Sequence, residues 1–227
     1  MAVSALRYEI KMTCDEVYLP EVRAWMQLHP AGFVEAYPPR QVNNVYLDTS
    51  EMDCLNDHLD GILDRSKLRF RWYGQDPASA RGALELKHKS SQVGWKEYSP
   101  IPMTFDLTAI AWHDWVQQLR TFAEGNIAAC LAWRDRPTLL NHYRREYYES
   151  GDRQVRVTVD RDQAVYEQLG YTSPNLAFRT LAEGRIVIEV KSEPRFSRRV
   201  SDVLSSFPLW AEPNSKYVRG MLAPWGR

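Results

Sequence analysis

The segment Lys67-Leu68-Arg69-Phe70-Arg71 decides the fold, because a cation stands at every second position. In an extended strand alternate side chains point to the same face, so the three cations form one positive row. Leu68 and Phe70 form an apolar row on the opposite face. Like charges at this spacing repel one another, and the segment supplies no counter-ion. We therefore expect an anion to bind along this row from outside the chain.

The same alternation recurs in three other segments: Arg7-Tyr8-Glu9-Ile10-Lys11, Glu85-Leu86-Lys87-His88-Lys89 and Glu189-Val190-Lys191. A half-exposed antiparallel sheet also alternates apolar and polar residues, and this is the simpler interpretation of any one segment. The polar rows here, however, are mostly long cations with few carboxylates. Because the pattern recurs, it favours a sheet whose polar face binds an anion.

The overall charge limits the kind of anion that we expect. Lys plus Arg and Asp plus Glu number 29 each, so the formal net charge is zero. A protein that coats nucleic acid is usually basic overall, and we therefore expect no nucleic-acid partner. Cations that are concentrated locally suit an enclosed pocket. The length of 227 residues predicts a single domain spanning residues 1–227, or at most two small ones.

The cysteines and the hydropathy predict a soluble cytoplasmic protein. Cys14, Cys54 and Cys130 lie far apart, and an odd number of cysteines without a secretory signal indicates reduced thiols. No stretch of the sequence approaches the apolar length that spans a bilayer, so we expect no direct membrane insertion. Any membrane-protein partner is left open.

Hydrophobic periodicity predicts a mainly β (α+β) fold with four helices and eight strands. The helices are expected at residues 20–28, 107–122, 127–134 and 197–207, and residues 38–39, 49–64 and 171–182 are expected to be loops or turns. The strands are expected at residues 5–12, 41–48, 65–73, 83–89, 95–101, 138–148, 154–165 and 185–192. Eight antiparallel strands are enough to close a small barrel, which would form a tunnel with the helices packed outside. Its charged interior would have to hold water and anions, since isolated buried charges are too costly.

In this order the segments resemble the VTC (vacuolar transporter chaperone) polyphosphate polymerase domain. That family belongs to the triphosphate tunnel metalloenzyme, or CYTH-like, superfamily. The most VTC-like piece is Lys67-Leu68-Arg69-Phe70-Arg71-Trp72-Tyr73-Gly74, followed by Leu84-Glu85-Leu86-Lys87. The other matching segments are Arg7 to Lys11, Val45-Tyr46-Leu47-Asp48-Thr49, Tyr143-Arg144-Arg145, Val155-Arg156-Val157-Thr158 with Asp160, Ile188-Glu189-Val190-Lys191 and Ser215-Lys216-Tyr217.

The resemblance implies a set of site residues. Arg forks would grip phosphate oxygens in pairs, and Lys would supply point charge. The implied catalytic cations are Lys11, Arg69, Arg71, Lys87, Arg145, Arg156 and Lys216. Further implied substrate contacts are Lys67, Lys89, Lys96, Tyr143 and Lys191. Glu189, with Glu9 as a second candidate, would hold Mn²⁺ or Mg²⁺ through oxygen ligands.

The sequence leaves three functions open. The resemblance implies metal-dependent polyphosphate synthesis from ATP, with inorganic triphosphate or polyphosphate as further ligands. The alternatives are a tripolyphosphatase or nucleoside triphosphatase, and a non-catalytic polyphosphate-binding or sensor protein. The first strand carries one Glu, where many tunnel triphosphatases have two, and this departure favours the VTC branch.

Overall fold

The computed structural model describes residues 2–91 and 93–223, and ten strands form one sheet. The strands are β1 (Ala2–Val3), β2 (Arg7–Asp15), β3 (Val34–Asp48), β4 (Asp64–Tyr73), β5 (Ala80–Ser90), β6 (Val93–Phe105), β7 (Arg136–Glu149), β8 (Val155–Glu167), β9 (Leu181–Glu183) and β10 (Arg185–Ser192). The helices are α1 (Leu19–Leu28), α2 (Asp53–Leu59), α3 (Trp112–Phe122), α4 (Gly125–Trp133), α5 (Ser197–Leu204) and α6 (Lys216–Leu222).

Eight of the strands close into a ring. Their order is β6, β2, β10, β8, β7, β3, β4 and β5, and β5 pairs with β6 again to complete the circuit. Every neighbouring pair is antiparallel. The prediction of a closed, eight-stranded antiparallel sheet with helices is therefore confirmed. Short β1 and β9 pair with β6 and β8 respectively.

The outward face of the ring is apolar and carries helices α1, α3, α4 and α5. On one side Leu68 and Phe70 are fully buried, and Phe70 meets Trp115 of α3 edge-on with ring centroids 5.6 Å apart. On the other side Met12, Val157 and Ile188 pack in one cluster with buried residues of α1 and α5. Each such side chain contributes about 1.5–3 kcal/mol when fully buried. The helices thus fix the outward rows, which leaves the alternate rows to face the interior.

The third strand of the ring extends further than the sequence predicts. Pro38 and Pro39 lie inside β3 and not in a loop. The ladder with β7 is irregular between Tyr37 and Arg40. A bulge of this kind accommodates prolines, which have no N–H to donate to a ladder.

Two short helices were also not predicted. The segment 53–59, expected to be a turn, forms α2, and it is anchored where the backbone N–H of Cys54 donates to Asp48 at 2.9 Å. The last helix, α6, begins after Ser215, whose side chain caps it by accepting from the N–H of Val218. Each has only seven residues, so tertiary contacts and not periodicity stabilise them. Within residues 2–91 and 93–223, no helix is long and apolar enough to cross a membrane.

Candidate functional site

Charged side chains from seven strands of the ring and from α6 meet in its interior. Among the residues that the structure describes, nine cations take part: Lys11, Lys67, Arg69, Arg71, Lys87, Lys96, Arg145, Lys191 and Lys216. Four carboxylates lie among them: Glu9, Glu85, Asp160 and Glu189. The cations therefore exceed the carboxylates by five, and an anion carrying about four negative charges would bring this interior close to neutrality.

Glu85 of β5 is the centre of the first group. Arg69 donates to its Oε2 from Nη2 at 2.6 Å and from Nε at 3.0 Å, and Lys96 reaches its Oε1 at 2.6 Å. Nη1 of Arg71 lies 3.8 Å from Oε2 of Glu85. Burial alone would raise the pKa of Glu85, but these three cations hold it well below its ordinary value. The expectation that the row on β4 lacks a counter-ion is therefore wrong: the neighbouring strand supplies one, because Arg69 and Glu85 are directly opposite in the ladder.

Arg71 is held by neutral groups in addition to Glu85. Its Nε donates to the Asn44 side-chain oxygen at 2.8 Å, and its Nη2 donates to the Tyr143 hydroxyl at 3.0 Å. Asn44 in turn donates to Asn141 at 2.8 Å. Because these partners are uncharged, they orient the guanidinium without neutralising it.

Asp160 of β8 and Glu189 of β10 are the centre of the second group. Arg145 donates to both oxygens of Asp160, at 2.5 and 2.6 Å, and to Glu189 at 3.1 Å. Lys216 of α6 lies 2.5 Å from Asp160 and 3.5 Å from Glu189. Burial opposes the charge on each carboxylate, but the surrounding cations lower the pKa of both. The same carboxylates raise the pKa of Arg145 and of Lys216 against the effect of burial.

Glu9 of β2 contacts cations on its own strand and on two other strands of the ring. It lies 3.2 Å from Lys11 on its own strand and 3.3 Å from Lys87 on β5, which is not its ladder partner at that level. Lys191 approaches Glu9 at 4.0 Å and also contacts Glu189 closely. Despite burial, Lys87, Lys11 and Lys191 hold the pKa of Glu9 far below its ordinary value. The interior contacts thus also join β2 to β5, which are separated in the ring by β6.

The C-terminal segment contributes further groups to the interior. Lys11 donates to the backbone oxygen of Asn214 at 2.9 Å, and Lys67 donates to the Ser215 hydroxyl at 2.9 Å. Tyr217 donates its hydroxyl proton to the fully buried Asp48 at 2.5 Å. This last bond fixes the start of α6, and with it the positions of Ser215 and Lys216.

Lys67 differs from the other interior cations because no carboxylate pairs with it among residues 2–91 and 93–223. Burial, together with Lys11, Lys87 and Arg65, lowers the pKa of Lys67 to about 7. Burial also lowers the pKa of Lys87 to about 8, although Glu9 partly opposes the shift. Among the described residues, Lys67 therefore marks the part of the interior where positive charge is least compensated.

Most of the predicted site residues come together, but two lie apart. Tyr143 is buried in the cluster, with Lys216 and Arg145 over its ring at 4.7 and 5.2 Å. The Arg156 side chain is 64% exposed at the end of β8 and pairs with Glu149 at 3.1 Å. Lys89 is exposed, and burial and the nearby Arg65 lower its pKa.

Sequence reasoning gave no role to several residues that the cluster contains. Glu85 and Asp160 stand in quoted segments, at alternate positions that place them on the interior face, so alternation alone was a sufficient signal. Asn44 and Asn141 carry no comparable signal, since buried amides are recognised only by their partners.

The donor set fits a divalent cation carried by a phosphate ligand. The described residues contain no group of three His, Cys, Asp or Glu side chains arranged to hold a metal. Glu189 and Glu9 nevertheless lie 3.5 and 3.2 Å from the same amine, that of Lys11. Beside Glu189 in the ladder, the Thr158 hydroxyl is buried without a hydrogen bond among the described residues. Mg²⁺ is commonly bound by one or two carboxylates together with substrate phosphates, which this arrangement matches.

A comparison with protein families agrees with this site. The family model of the VTC domain matches residues 6–224. The chain belongs to the VTC domain family. The interior residues of this VTC domain, from Glu9 to Lys216, all fall within the matched range. A comparison with curated proteins gives no match.

Solved structures support the fold of this VTC domain. A Hippeastrum protein described as a candidate adenylyl cyclase with a dominant triphosphatase activity superposes with a TM-score of 0.51, at 13% identity, covering 95% of this chain and 94% of that chain. A candidate adenylate cyclase from Vibrio parahaemolyticus gives a TM-score of 0.50 at 12% identity, covering 94% of this chain and 97% of that one. A Pyrococcus horikoshii protein also gives 0.50 at 12% identity, covering 93% and 96% respectively. At such identities the likeness concerns the fold alone.

Proposed function

We propose that this chain, as one VTC domain over residues 1–227, binds a triphosphate within a tunnel formed by the ring and synthesises polyphosphate from ATP. The observation that carries the proposal is the excess of five cations over carboxylates inside a closed ring. A triphosphate carries about four negative charges, and charge-assisted hydrogen bonds to Arg and Lys are the strongest that a protein makes. The family membership and the reported triphosphatase activity of the Hippeastrum relative support the same class of ligand.

The interior residues have distinct roles in this proposal. Arg69 and Arg71, oriented by Glu85 and by Asn44, would grip phosphate oxygens from β4. Lys216 and Arg145 would bind from α6 and β7, where Asp160 fixes both side chains. Preorganised cations of this kind stabilise charge that moves toward the leaving phosphate without reorganising during the reaction.

Glu189, with Glu9, would hold Mn²⁺ or Mg²⁺ together with the phosphate oxygens. When bound, the metal would offset the charge that develops on the leaving group. The residues of the chain that face it would then bind and orient the phosphates. Lys11 pairs with both carboxylates and so holds them near each other in the free protein.

The weak basicity of the interior carboxylates supports a phosphate acceptor over water. Water must lose a proton as it attacks, and a general base works best with a pKa near the ambient pH. The neighbouring cations hold the pKa values of Glu9, Glu85, Asp160 and Glu189 below their ordinary values, so each of these carboxylates is a weak base. The interior group whose pKa lies near the ambient pH is the amine of Lys67, at about 7. The terminal phosphate of a polyphosphate chain is already an oxyanion and needs no base.

The proposed step is a phosphoryl transfer in which atoms and charges balance. An oxygen of the terminal phosphate of the growing chain forms a bond to the γ-phosphorus of ATP. The bond between that phosphorus and the oxygen bridging to the β-phosphate breaks, and ADP leaves with its electron pair. The chain is then longer by one phosphate, and no proton has to be transferred.

The experiment is to incubate the purified protein with ATP and Mn²⁺ and to separate the products on a gel. We expect long-chain polyphosphate together with ADP. If free phosphate accumulates in step with ADP and no polymer forms, the protein is a hydrolase, as the Hippeastrum relative is described to be. If neither product forms while tripolyphosphate still binds, the protein is a binding or sensor protein.

A further inference from the structure

A guanidinium surrounded by aromatic rings lies at one end of the ring, outside the ion-pair cluster. The Arg40 guanidinium carbon lies 4.8 Å from the ring centroid of Tyr73, 5.0 Å from that of Tyr147 and 5.6 Å from that of Tyr37. Tyr37 and Tyr147 also contact each other edge-on, with centroids 5.8 Å apart. Four side chains from three neighbouring strands, β3, β4 and β7, thus form one stacked group, which we call the tyrosine cluster.

The local backbone explains how β3 contributes two members. Tyr37 and Arg40 are three positions apart, so strict alternation would place them on opposite faces of the strand. The register of the ladder with β7 shifts between these two residues, at Pro38 and Pro39. Bulges re-aim side chains in this way and are frequent beside functional sites.

The tyrosine cluster exposes side chains that can contact a ligand. Within the part of the chain that the structure describes, Arg40 forms no ion pair and no side-chain hydrogen bond, and its guanidinium lies over the three rings. Arg40 is exposed, as are Tyr37 at 59% and Tyr73 at 47%. Flat guanidinium and phenol faces that water can reach are available to stack against another flat ring.

The tyrosine cluster lies on the same strand faces as the side chains proposed to contact the triphosphate. Tyr73 follows Arg71 by two positions on β4, and Tyr147 follows Arg145 by two positions on β7. Arg40 is the ladder partner of Arg145. A step of two residues along a strand is about 6.8 Å. A nucleotide whose phosphates lie against Arg71 and Arg145 would therefore extend its ribose and base toward the tyrosines.

We propose that Tyr37, Arg40, Tyr73 and Tyr147 form a stacking platform for the base of a nucleoside triphosphate. The inference rests on the proposed triphosphate site and specifies its substrate class, since an inorganic triphosphate would leave the platform unused. Aromatic and guanidinium faces stack on any base, because every base has a π-face. The platform therefore selects nucleotides over inorganic phosphate without discriminating strongly among the bases.

The test compares two ligands that differ only in carrying a nucleoside. ATP and tripolyphosphate are each titrated calorimetrically into wild-type protein, Tyr73→Ala and Tyr73→Phe. We expect Tyr73→Ala to weaken ATP binding by roughly tenfold, the scale of one base–aromatic stack. Tripolyphosphate binding should stay within about twofold of the wild type, because the phosphate contacts are intact. Tyr73→Phe keeps the ring and should bind ATP as the wild type does.

Two further variants provide a second test and a negative control. Arg40→Ala removes another exposed member and should repeat the selective loss of ATP if Tyr73→Ala does not fold. Tyr171→Ala removes a tyrosine that is 42% exposed in the loop after β8, away from the cluster, and should change neither affinity.

The outcomes separate the platform from the proposed function. If both ligands weaken equally, the cluster binds the phosphate chain, and the platform is refuted. Unchanged ATP binding in Tyr73→Ala and Arg40→Ala refutes it as well. If wild-type protein binds neither ligand, the proposed triphosphate site itself fails.

Discussion

The amine of Lys67 lies 2.9 Å from the Ser215 hydroxyl, which joins β4 to the start of α6 inside the ring. His58 Nδ1 lies 3.5 Å away, and the Tyr217 ring lies beneath the amine at 5.4 Å. None of these neighbours is a carboxylate. Among the described residues, neutral groups and other cations surround Lys67, so an incoming anion would be its first counter-ion there.

This environment predicts a pH dependence of phosphate binding. Because burial and the nearby cations lower the pKa of Lys67 to about 7, the amine is charged below that pH and neutral above it. An anion prefers the charged form, so tripolyphosphate affinity should fall as pH rises from about 6 to about 8. Calorimetric titrations across this range measure the effect.

The matched control for this prediction is Lys67→Arg, whose side chain stays charged at all accessible pH values. The ligand titrates equally in both proteins, so the difference between the two pH profiles isolates Lys67. Superimposable profiles would mean that Lys67 does not titrate in this range.

Removing Arg69 should destabilise the fold. Repulsion within the cation row, considered alone, predicts that removing Arg69 stabilises the fold. Glu85, however, is 3% exposed and accepts two hydrogen bonds from Arg69. A buried carboxylate that loses its partner costs about 3–5 kcal/mol. Urea unfolding should show a loss of this order for Arg69→Ala, and the added change Glu85→Gln should restore part of it. If Arg69→Ala is as stable as the wild type, this pair contributes nothing to the fold.

Glu189→Gln should separate catalysis from binding. The change keeps the size of the side chain but removes the charge proposed to hold the metal, so ATP turnover with Mn²⁺ should fall by several orders of magnitude. Four cations contact Glu189, and their repulsion should lower the melting temperature of the free protein. Tripolyphosphate would then raise that temperature by more than in the wild type.

The exposed Glu193, which pairs with Arg195 at 2.8 Å, provides the control Glu193→Gln. It should retain both turnover and melting temperature. Glu189→Gln protein that turns over ATP as fast as the wild type does would exclude Glu189 as the metal ligand.

Tyr217→Phe should act on the site through the position of α6. The change removes the hydrogen bond to Asp48, which is fully buried, at a cost of about 1–3 kcal/mol in unfolding free energy. Since Ser215 and Lys216 directly precede Tyr217, tripolyphosphate affinity should also fall. Tyr171→Phe serves as the control, and equal affinities in the two variants would show that α6 is positioned by other contacts.

The sequence predicted the ring because alternation is a strong signal on β2, β4, β5 and β10. On those strands apolar and charged rows are separate, so the period of two identifies both the strand and its inward face. The same signal identified Lys11, Arg69, Arg71 and Lys87 as residues of one interior. It did not reveal their counter-ions, since register between strands is set by the whole fold.

Other features had no local signal at all. The short helices α2 and α6 depend on tertiary contacts such as the bond between Tyr217 and Asp48. Pro38 and Pro39 indicated a loop, and only the irregular ladder with β7 accommodates them in a strand. The tyrosine cluster arises from that irregularity, so periodicity could not have predicted it.

The central claim is that the interior of the ring binds one triphosphate, and a calorimetric titration with tripolyphosphate tests it most directly. The variants are Lys87→Gln, inside the ring, and Arg144→Gln, an exposed arginine on β7. We expect one ligand per chain and an affinity that decreases with salt. The tripolyphosphate affinity of Lys87→Gln should be lower than that of the wild type by roughly tenfold or more, as expected for the loss of one charge-assisted hydrogen bond. Arg144→Gln should bind tripolyphosphate as the wild type does. Absence of binding, or an equal loss in both variants, would contradict the claim.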